Sequence, residues 1–239
     1  MKRPAADSRN AILAAATTEF AARGFDGASV DDIARRSGLN KAMIYYHFKS
    51  KQGVYLEILR EMFRALGART RTIVESDETP ARKIEAFIDA LNAEAVARTH
   101  FPPMMMREMA DGARRLDRDT LGLMAALFGN LSAILAQGAA AGVFRPTNPV
   151  LTYFTLIAPV IFFRATAPVR QALQKHRLVD APAFDPDAFI AYLKTGALTV
   201  LTTGASCPLA APRSAAGPVG TVATTTTRRR RTSRSGDHA

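Results

Sequence analysis

The sequence predicts an all-α fold in which an N-terminal three-helix domain, built around a helix-turn-helix, precedes a larger helical bundle. Three observations predict it. Apolar residues recur at the three- and four-residue spacing of helices along most of the chain. The alternation that is typical of strands is not sustained anywhere. Residues 29–48 hold two short helical patterns joined by a three-residue turn, which is the outline of a helix-turn-helix.

The first two predicted helices lie before this turn. One runs over Asp7–Arg23 and is ended by Gly24. The next begins at Ser29, a good N-cap, and Asp32 three positions later places a carboxylate at the positive end of that helix. Gly38 then supplies the backbone freedom to leave the helix and enter the turn.

The third predicted helix begins at Asn40, which can cap it, and runs to about Phe48. Ile44 and Phe48, one turn apart, form its buried stripe. The other face is rich in Tyr, His and Lys and lacks acids, which suits a polyanion, and it carries Lys41, Ala42, Met43, Tyr45, Tyr46 and His47. A helix of this width fits the major groove of DNA.

A longer helix leaves the motif. Ser50 can cap it, and its apolar residues keep the i, i+3, i+4 spacing to about residue 75. We therefore predict a DNA-binding domain over residues 1–50 and an exit helix at about 51–75.

The order and spacing of these residues resemble the DNA-binding domain of the TetR family of bacterial repressors over about residues 8–60. The matching segments are Phe20, Gly24-Phe25, Ser29-Val30, Ile33-Ala34, Ser37-Gly38-Leu39, Ile44 to Phe48, and Lys49-Ser50-Lys51. The chain departs from the pattern at Asp31 and Asp32, where some relatives carry basic or neutral contact residues. Base reading by that helix is therefore left open.

The resemblance implies which residues contact DNA. Those implied to face bases are Lys41, Ala42, Met43 and Tyr45. Phosphates would be held by Tyr46, His47 and Lys51, with the N-terminal end of the helix that starts at Ser29. With the cap residue added, the predicted DNA-binding set is Ser29, Asn40, Lys41, Ala42, Met43, Tyr45, Tyr46, His47 and Lys51.

Positive charge lies at the two ends of the chain. Residues 1–75 hold 13 Lys and Arg against 8 Asp and Glu, residues 204–239 hold 6 against 1, and residues 76–203 hold 13 against 12. Basic charge is expected on a DNA-binding unit, because phosphate contacts supply most non-specific affinity. The near-neutral middle is not expected to bind polyanions.

Residues 76–204 read as a helical bundle. Its predicted helices lie at 81–98, 104–115, 117–141, 150–163 and from Asp185 to about Val200. The resemblance implies that this part is a regulatory and dimerisation domain that binds a small effector between its helices.

The residues 205–239 are rich in Pro, Ala, Gly, Thr and Arg, and we predict a disordered basic tail. Its Arg228–Arg231 run suits an auxiliary DNA arm and a solvated tail equally.

Two hypotheses concern the bundle. A pocket for a small, apolar effector would use flexible thioethers and aromatic rings, and its candidate residues are Met105, Met109, Leu127, Phe128, Phe154 and Phe162. Ordinary core packing explains the same residues equally well. The stretches Val150–Phe163 and Phe189–Val200 hold more apolar surface than one face needs, which favours a homodimer seam over burial within the monomer.

Several classes of protein find no support in the sequence. No phosphate-binding loop, nucleophile elbow or paired His with metal-ligand spacing occurs, so we expect neither an enzyme nor a cofactor or metal site. The single Cys207 fits a reducing cytoplasm. No apolar run reaches the length of a membrane span, and Val150–Phe163 has only 14 residues.

These observations and the resemblance predict a cytoplasmic, homodimeric transcriptional regulator of bacterial type. It would be a ligand-responsive repressor that binds a palindromic operator in double-stranded DNA and is nucleoid-associated when bound. The alternative is a non-specific architectural DNA-binding protein without effector control, which the basic ends alone would also suit. A specificity ratio of about 10³ or more over random DNA separates the two.

Overall fold

A computed structural model describes residues 5–179 and 185–202 of the chain. Within these residues all regular structure is helical, as predicted. The ten helices are α1 (Ala5–Gly27), α2 (Val30–Ser37), α3 (Lys41–Phe48), α4 (Lys51–Glu75), α5 (Pro80–Ala97), α6 (Phe101–Ala110), α7 (Arg118–Ala140), α8 (Pro149–Ala165), α9 (Ala167–Lys175) and α10 (Pro186–Thr202). The tail at 205–239, with Cys207 and Arg228–Arg231, lies outside the described residues.

Helix α1 continues past the predicted end, but with a sharp change of direction. Gly24 has φ 72° and ψ 178°, so the helix is kinked there and a last short turn reaches Gly27. A residue with a side chain rarely adopts this φ. The kink places Phe25 against Phe20, with ring centroids 5.8 Å apart, and against Tyr55 of α4, at 5.2 Å.

Both helices of the helix-turn-helix begin at the predicted caps. The Ser29 hydroxyl accepts a hydrogen bond from Asp32 N at 3.0 Å, and the side-chain Oδ1 of Asn40 accepts one from Met43 N at 3.0 Å. Gly38 ends α2 in the left-handed conformation, with φ 69°. Each helix has only eight residues, so packing must hold it in place: α2 packs on α1 and α3, and α3 also packs on α1 and α4.

Helix α4 joins the N-terminal helices to the bundle. Its first turns pack on α1 and α3, and its later turns pack on α5 and α7. The seam between these helices is lined by buried apolar side chains, among them Leu59, Met62 and Leu66. At its start Gly53 is required, because a Cβ there would lie 2.0 Å from the carbonyl oxygen of Phe48.

The bundle differs from the prediction at α6 and α9. Helix α6 begins at Phe101 instead of Met104, because Pro102 and Pro103 occupy the first turn, where no N–H is needed. It ends at Ala110, five residues before the predicted end. Helix α9 was not predicted, since its nine residues hold no buried side chain that would mark an apolar face.

Helix α7 is, by length and composition alone, apolar enough to cross a membrane, and the bent pair α8–α9 passes the same test. In the fold, α7 packs against α4, α5 and α8. Its Leu127, Leu131 and Ile134 are buried in the common core. One such helix is weak evidence for a membrane span, because core helices of globular proteins satisfy the same test.

Candidate DNA-binding surface

Helix α3 presents a polar and aromatic face to solvent. Lys41, Ala42 and Tyr45 are exposed, and Tyr46 is 68% exposed. Met43 is half-buried and packs against the core. The opposite face is anchored by Ile44 and Phe48, which are buried as predicted. The residues that the sequence placed toward DNA bases therefore share one surface, with Met43 at its inner edge.

The N-terminal end of α2 is organised by Asp32. Its carboxylate accepts hydrogen bonds from the Ser29 hydroxyl at 2.7 Å, from Arg23 at 2.9 Å and from Arg35. The hydrogen bond from Ser29, followed by that from Arg35, holds the pKa of Asp32 below its ordinary value. Asp32 therefore acts within the protein, as the capping pattern in the sequence indicated.

The neighbouring acid, Asp31, has a different surrounding. Its carboxylate lies 2.5 Å from the ammonium of Lys41, at the first residue of α3, and both side chains are mostly exposed. The hydrogen bond with Asp31 raises the pKa of Lys41. A cation and an anion thus meet on the open surface where the starts of α2 and α3 approach each other.

Lys51 is placed differently from the prediction of a phosphate contact. Its ammonium donates to the carbonyl oxygens of Phe25 at 2.9 Å and Ala28 at 3.0 Å. It also lies 4.3 Å from the centroid of the Phe25 ring. Two of its three N–H donors therefore hold the last turn of α1 and the residue that follows it, which leaves one for DNA.

His47 also faces the protein more than the sequence suggested. The side chain is half-buried, and its Nε2 is buried without a hydrogen-bond partner among the described residues. It lies in a recess that is also lined by Arg9, Lys49 and Arg60. A phosphate contact through Nε2 requires the ring to turn outward.

A cluster of side chains joins this surface to the end of α6. The guanidinium of Arg115 lies 2.9 Å from the carboxylate of Asp26, 3.2 Å from that of Glu108 and 2.7 Å from that of Asp111. The same guanidinium lies 4.8 Å from the centroid of the Phe25 ring. Phe25 therefore contacts one cation from α4 and one from the segment after α6.

Glu108 is the buried centre of this cluster. It is completely buried, accepts a hydrogen bond from Arg115 N at 3.1 Å and accepts another from the Tyr55 hydroxyl at 3.1 Å. Burial and the nearby charge of Glu108 raise the pKa of Tyr55 well above its usual range. Arg107 donates to the carbonyl oxygen of Ala21 at 2.8 Å, so α6 holds both α1 and α4.

Sequence reasoning identified Phe25 only as part of a family motif and did not identify Arg115 or Glu108 as partners of the DNA-binding helices. These residues lie about 90 positions from α1, and no local pattern relates them. The one available signal was a glutamate that follows a run of three methionines in a predicted helix.

The six candidate pocket residues do not surround one cavity. Met105 and Leu127 are buried in the core, and Phe128 is half-buried against Tyr153. The other three are exposed on the surface and are Met109, Phe154 and Phe162. The periodicity that selected them identified apolar residues correctly but could not tell which helix face would meet a neighbour.

A cavity of about 420 Å³ lies elsewhere, between α1, α4 and the start of α6. Its apolar wall includes Leu13, Met62 and Phe101, and its polar residues include Glu61 and His100. Its size falls in the range of small-molecule sites. Among the described residues, no group of three or more His, Cys, Asp or Glu side chains could hold a metal ion.

Two family models match the chain. Residues 12–58 match the model for bacterial regulatory proteins of the tetR family, and residues 80–182 match the tetracyclin repressor-like C-terminal domain. The first match covers the helix-turn-helix, and the second covers most of the bundle.

Individual proteins agree with these matches. The HTH-type transcriptional regulator RutR of Escherichia coli K12 is 27% identical over 177 residues, which are 74% of this chain and 83% of RutR. The HTH-type transcriptional repressor KstR2 of Mycolicibacterium smegmatis is 32% identical over 111 residues, which are 46% of this chain and 52% of KstR2.

Solved structures share the fold. A TetR family transcriptional regulator, PfmR from Thermus thermophilus, superposes with a TM-score of 0.60 at 24% identity and covers 80% of this chain and 96% of its own. A tetR-family regulatory protein from Rhodococcus RHA1 superposes with a TM-score of 0.67 at 18% identity and covers 82% of this chain and 97% of its own.

Proposed function

The chain belongs to the tetR family of bacterial regulatory proteins and is a DNA-binding transcriptional regulator, and we propose that it acts as a homodimeric, ligand-responsive repressor of a palindromic operator. The observation that carries the proposal is the surface of α3, which is capped at Asn40, anchored at Ile44 and open at Lys41, Tyr45 and Tyr46.

The proposed place of action of the protein is the bacterial cytoplasm, on the nucleoid. We propose the division predicted from the sequence, with the DNA-binding domain at 1–50, the exit helix at 51–75 and the regulatory domain at 76–204.

The proposed DNA contacts fall into two groups. Base edges are met by the exposed face of α3, at Lys41, Ala42, Met43 and Tyr45. Phosphates are met by the N-terminal ends of α2 and α3, at Ser29 and Asn40, and by Tyr46, His47 and Lys51. The exposure of Tyr46 supports its place in this group, and the two helix starts are included because helix N-termini favour anions. The inward position of Lys51 makes it the weakest member of the phosphate group.

The proposed dimer seam is formed by α8 and α10. Exposed apolar side chains line both helices, including Leu151, Phe154 and Phe162 of α8, and Tyr192, which is 80% exposed, and Val200 of α10. Between Arg145 and Arg164 the chain carries no charged residue, so α8 presents an uncharged surface up to its last turn. Contiguous apolar surface of this kind is characteristic of interfaces.

Two-fold symmetry would give the dimer its operator preference. Two copies of α3 must enter successive major grooves about 34–36 Å apart, so the operator would be a palindrome with half-sites one helical turn apart. The contacts of Arg115 with Asp26 and Phe25 support a rigid link between the bundle and the DNA-binding helices. An effector that binds more tightly to a different arrangement of this link would weaken operator binding. The size of the loss is set by the difference between its affinities for the two arrangements.

The effector is proposed to be a small molecule with an apolar body. The cavity between α1, α4 and α6 supports a site where one ligand would touch both parts of the protein, since Leu13 lies on α1 and Phe101 on α6. Glu61 and His100 would meet its polar groups. A ligand there is well placed to alter how α6 holds α1.

Selection of bound fragments from randomised double-stranded DNA tests the DNA-binding part. We expect a recovered palindrome that the full chain binds at least about 10³-fold more tightly than random DNA. Comparable affinity for all sequences would instead support the non-specific architectural protein and contradict the regulator.

A screen of small apolar metabolites tests effector control on the same protein. A true effector should raise the melting temperature by mass action and lower operator affinity. Leu13→Trp, which fills the cavity, should abolish both effects, whereas Leu121→Trp on the exposed first turn of α7 should leave both intact. Stabilisation without any change in operator affinity would contradict the coupling.

A further inference from the structure

The two acids at the start of α2 differ in what they do. Asp32 is engaged by Ser29, Arg23 and Arg35 inside the N-terminal helices. Asp31 contacts none of these groups, and its side chain is 65% exposed. Its ion pair joins it to the ammonium of Lys41 on the next helix. Capping therefore explains Asp32 but not Asp31, whose ion pair with Lys41 lies on the exposed surface.

The position of Lys41 locates this carboxylate relative to DNA. Lys41 is the first residue of α3, and the N-terminal residues of a recognition helix are those that contact base edges. Because the Asp31 oxygen lies 2.5 Å from the Lys41 nitrogen, a base that Lys41 reaches is also within reach of Asp31. If α3 docks in this way, the carboxylate would lie at the groove and not at the outer edge of the domain.

We propose that Asp31 and Lys41 together read one G·C base pair in each half-site. Lys41 donates to N7 and O6 of the guanine, and Asp31 accepts from the N4 amino group of the paired cytosine. This inference rests on the proposed DNA-binding role of α3 and extends it by naming a base pair and a second reader.

The chemistry of the pair matches that edge. An ammonium only donates and a carboxylate only accepts, whereas a G·C pair presents two neighbouring acceptors, N7 and O6, followed by the N4 donor. O6 and N4 are hydrogen-bonded to each other and therefore lie about 3 Å apart, close to the separation of the two side-chain groups. An A·T pair separates its two acceptors with the donor, so the lysine contacts only one acceptor beside the carboxylate and one hydrogen bond is lost.

The acid also explains how such a contact gives specificity. A carboxylate close to phosphates lowers affinity for every DNA sequence. This penalty is offset only where the N4 amino group of a cytosine lies opposite the carboxylate. Asp31 therefore mainly weakens binding to sequences that lack this base pair. Removing Asp31 should therefore raise affinity for random DNA while it lowers discrimination.

Base analogues in the selected operator test each contact separately. 7-Deazaguanine removes N7, and N4-methylcytosine keeps its pairing but leaves no free N–H in the groove. Each G·C pair of the half-site is replaced in turn, and binding of the full chain is measured. We expect one position at which each analogue lowers wild-type affinity about tenfold.

Two variants assign the contacts to their residues. Asp31→Ala should become insensitive to N4-methylcytosine at that position and stay sensitive to 7-deazaguanine, and Lys41→Ala should show the reverse. The charge-matched controls are Asp77→Ala, after α4, and Lys175→Ala, on α9, which should keep both sensitivities. Melting temperature and oligomeric state confirm that the variants are folded.

The outcomes are distinct. An operator in which no G·C pair responds to N4-methylcytosine, or an Asp31→Ala variant that remains sensitive, overturns the inference while the DNA-binding role stands. A wild-type chain that selects no preferred sequence overturns the proposed function, and this inference with it.

Discussion

The helix-turn-helix and the bundle solve different physical problems. Helices α2 and α3 have eight residues each, begin at side-chain caps and carry the charged and aromatic groups of the candidate DNA surface. Helices α7 and α8 are long and nearly free of charge, and much of the apolar surface of α8 is exposed. The first region can recognise DNA only if its orientation is held from outside, and the second offers surface that another chain can cover.

This contrast separates two kinds of information in the molecule. In the proposed function, base recognition belongs to a short segment whose contacts are local, such as Ser29 to Asp32 and Asn40 to Met43. The spacing of two recognition helices would be set by the bundle, about 100 residues further along the chain. The cluster around Arg115 and Glu108 is where the second region contacts the first.

The largest effect is expected from disrupting the proposed dimer seam on α8 and α10. Phe154 is 59% exposed on α8. Phe154→Glu would place a charge in the proposed interface, so the dimer, with twice the 25.8 kDa mass of the chain, should dissociate. Because a monomer contacts one half-site only, operator affinity should fall by about 100-fold or more. Light scattering and a titration with operator DNA measure both quantities.

Leu121→Glu is the matched control, since Leu121 is also exposed but lies on the first turn of α7. It should stay dimeric. A Phe154→Glu protein that is still dimeric would show that the seam lies on another surface.

A second comparison removes equal volumes from the two cores. Ile44 of α3 and Leu131 of α7 are both fully buried. Ile44→Ala and Leu131→Ala should each lower the free energy of unfolding by about 2–5 kcal/mol. Only Ile44→Ala should also weaken operator binding by the folded protein, because it loosens α3, which carries the proposed base-contacting residues. Urea denaturation gives the stabilities, and equal losses of operator affinity would contradict the division of roles.

The helices were predictable where the signal was local. Ser29, Asn40 and Ser50 are capping residues that accept hydrogen bonds from main-chain N–H groups three positions later, and all three were identified from sequence. The start of α6 was wrong because Pro102 and Pro103 read as a break, although proline is tolerated in a first helical turn. Helix α9 was missed because it buries nothing.

The candidate site was predictable only in part, for a physical reason. Periodicity gives the faces of a helix but not the partner that each face meets. The exposed face of α3 followed from spacing alone, whereas the inward bonds of Lys51 to Phe25 and Ala28 depend on the kink at Gly24. For the same reason, periodicity could not show that the pocket candidates Phe154 and Met109 lie on outer faces.

A smaller loss of stability is expected when the inward hydrogen bonds of Lys51 are removed. Lys51→Met keeps the aliphatic stem but leaves the carbonyl oxygens of Phe25 and Ala28 without their donor, which should cost about 1–3 kcal/mol of stability. Lys49→Met removes the same charge from an exposed side chain two residues earlier and should cost little. Thermal unfolding compares them. If both variants have the melting temperature of the wild type and Lys51→Met lowers operator affinity, Lys51 contacts DNA and does not stabilise the end of α1.

The smallest expected effect concerns the cap of α2 and depends on pH. The hydrogen bonds from Ser29 and Arg35 hold the pKa of Asp32 below its ordinary value of 3.8, so the folded state favours the carboxylate. The stabilisation is therefore complete above the unfolded pKa and is lost as the pH falls through the folded pKa. Asp32→Asn cannot gain it at any pH. The difference in melting temperature between the wild type and Asp32→Asn should be constant from about pH 5 to 7 and shrink below about pH 4.

The charge-matched control for this titration is Asp77→Asn, because Asp77 is exposed and forms no ion pair among the described residues. Its melting temperature should follow that of the wild type from pH 7 down to the acid limit. Taking the difference between two proteins cancels the titration of every other carboxylate, so the residual curve reports Asp32 alone. A difference that grows as the pH falls would mean that the carboxylate is worth less in the folded state than in the unfolded chain. The start of α2 would then be held by the Ser29 hydroxyl without the acid, and the two neighbouring acids would both be available to DNA.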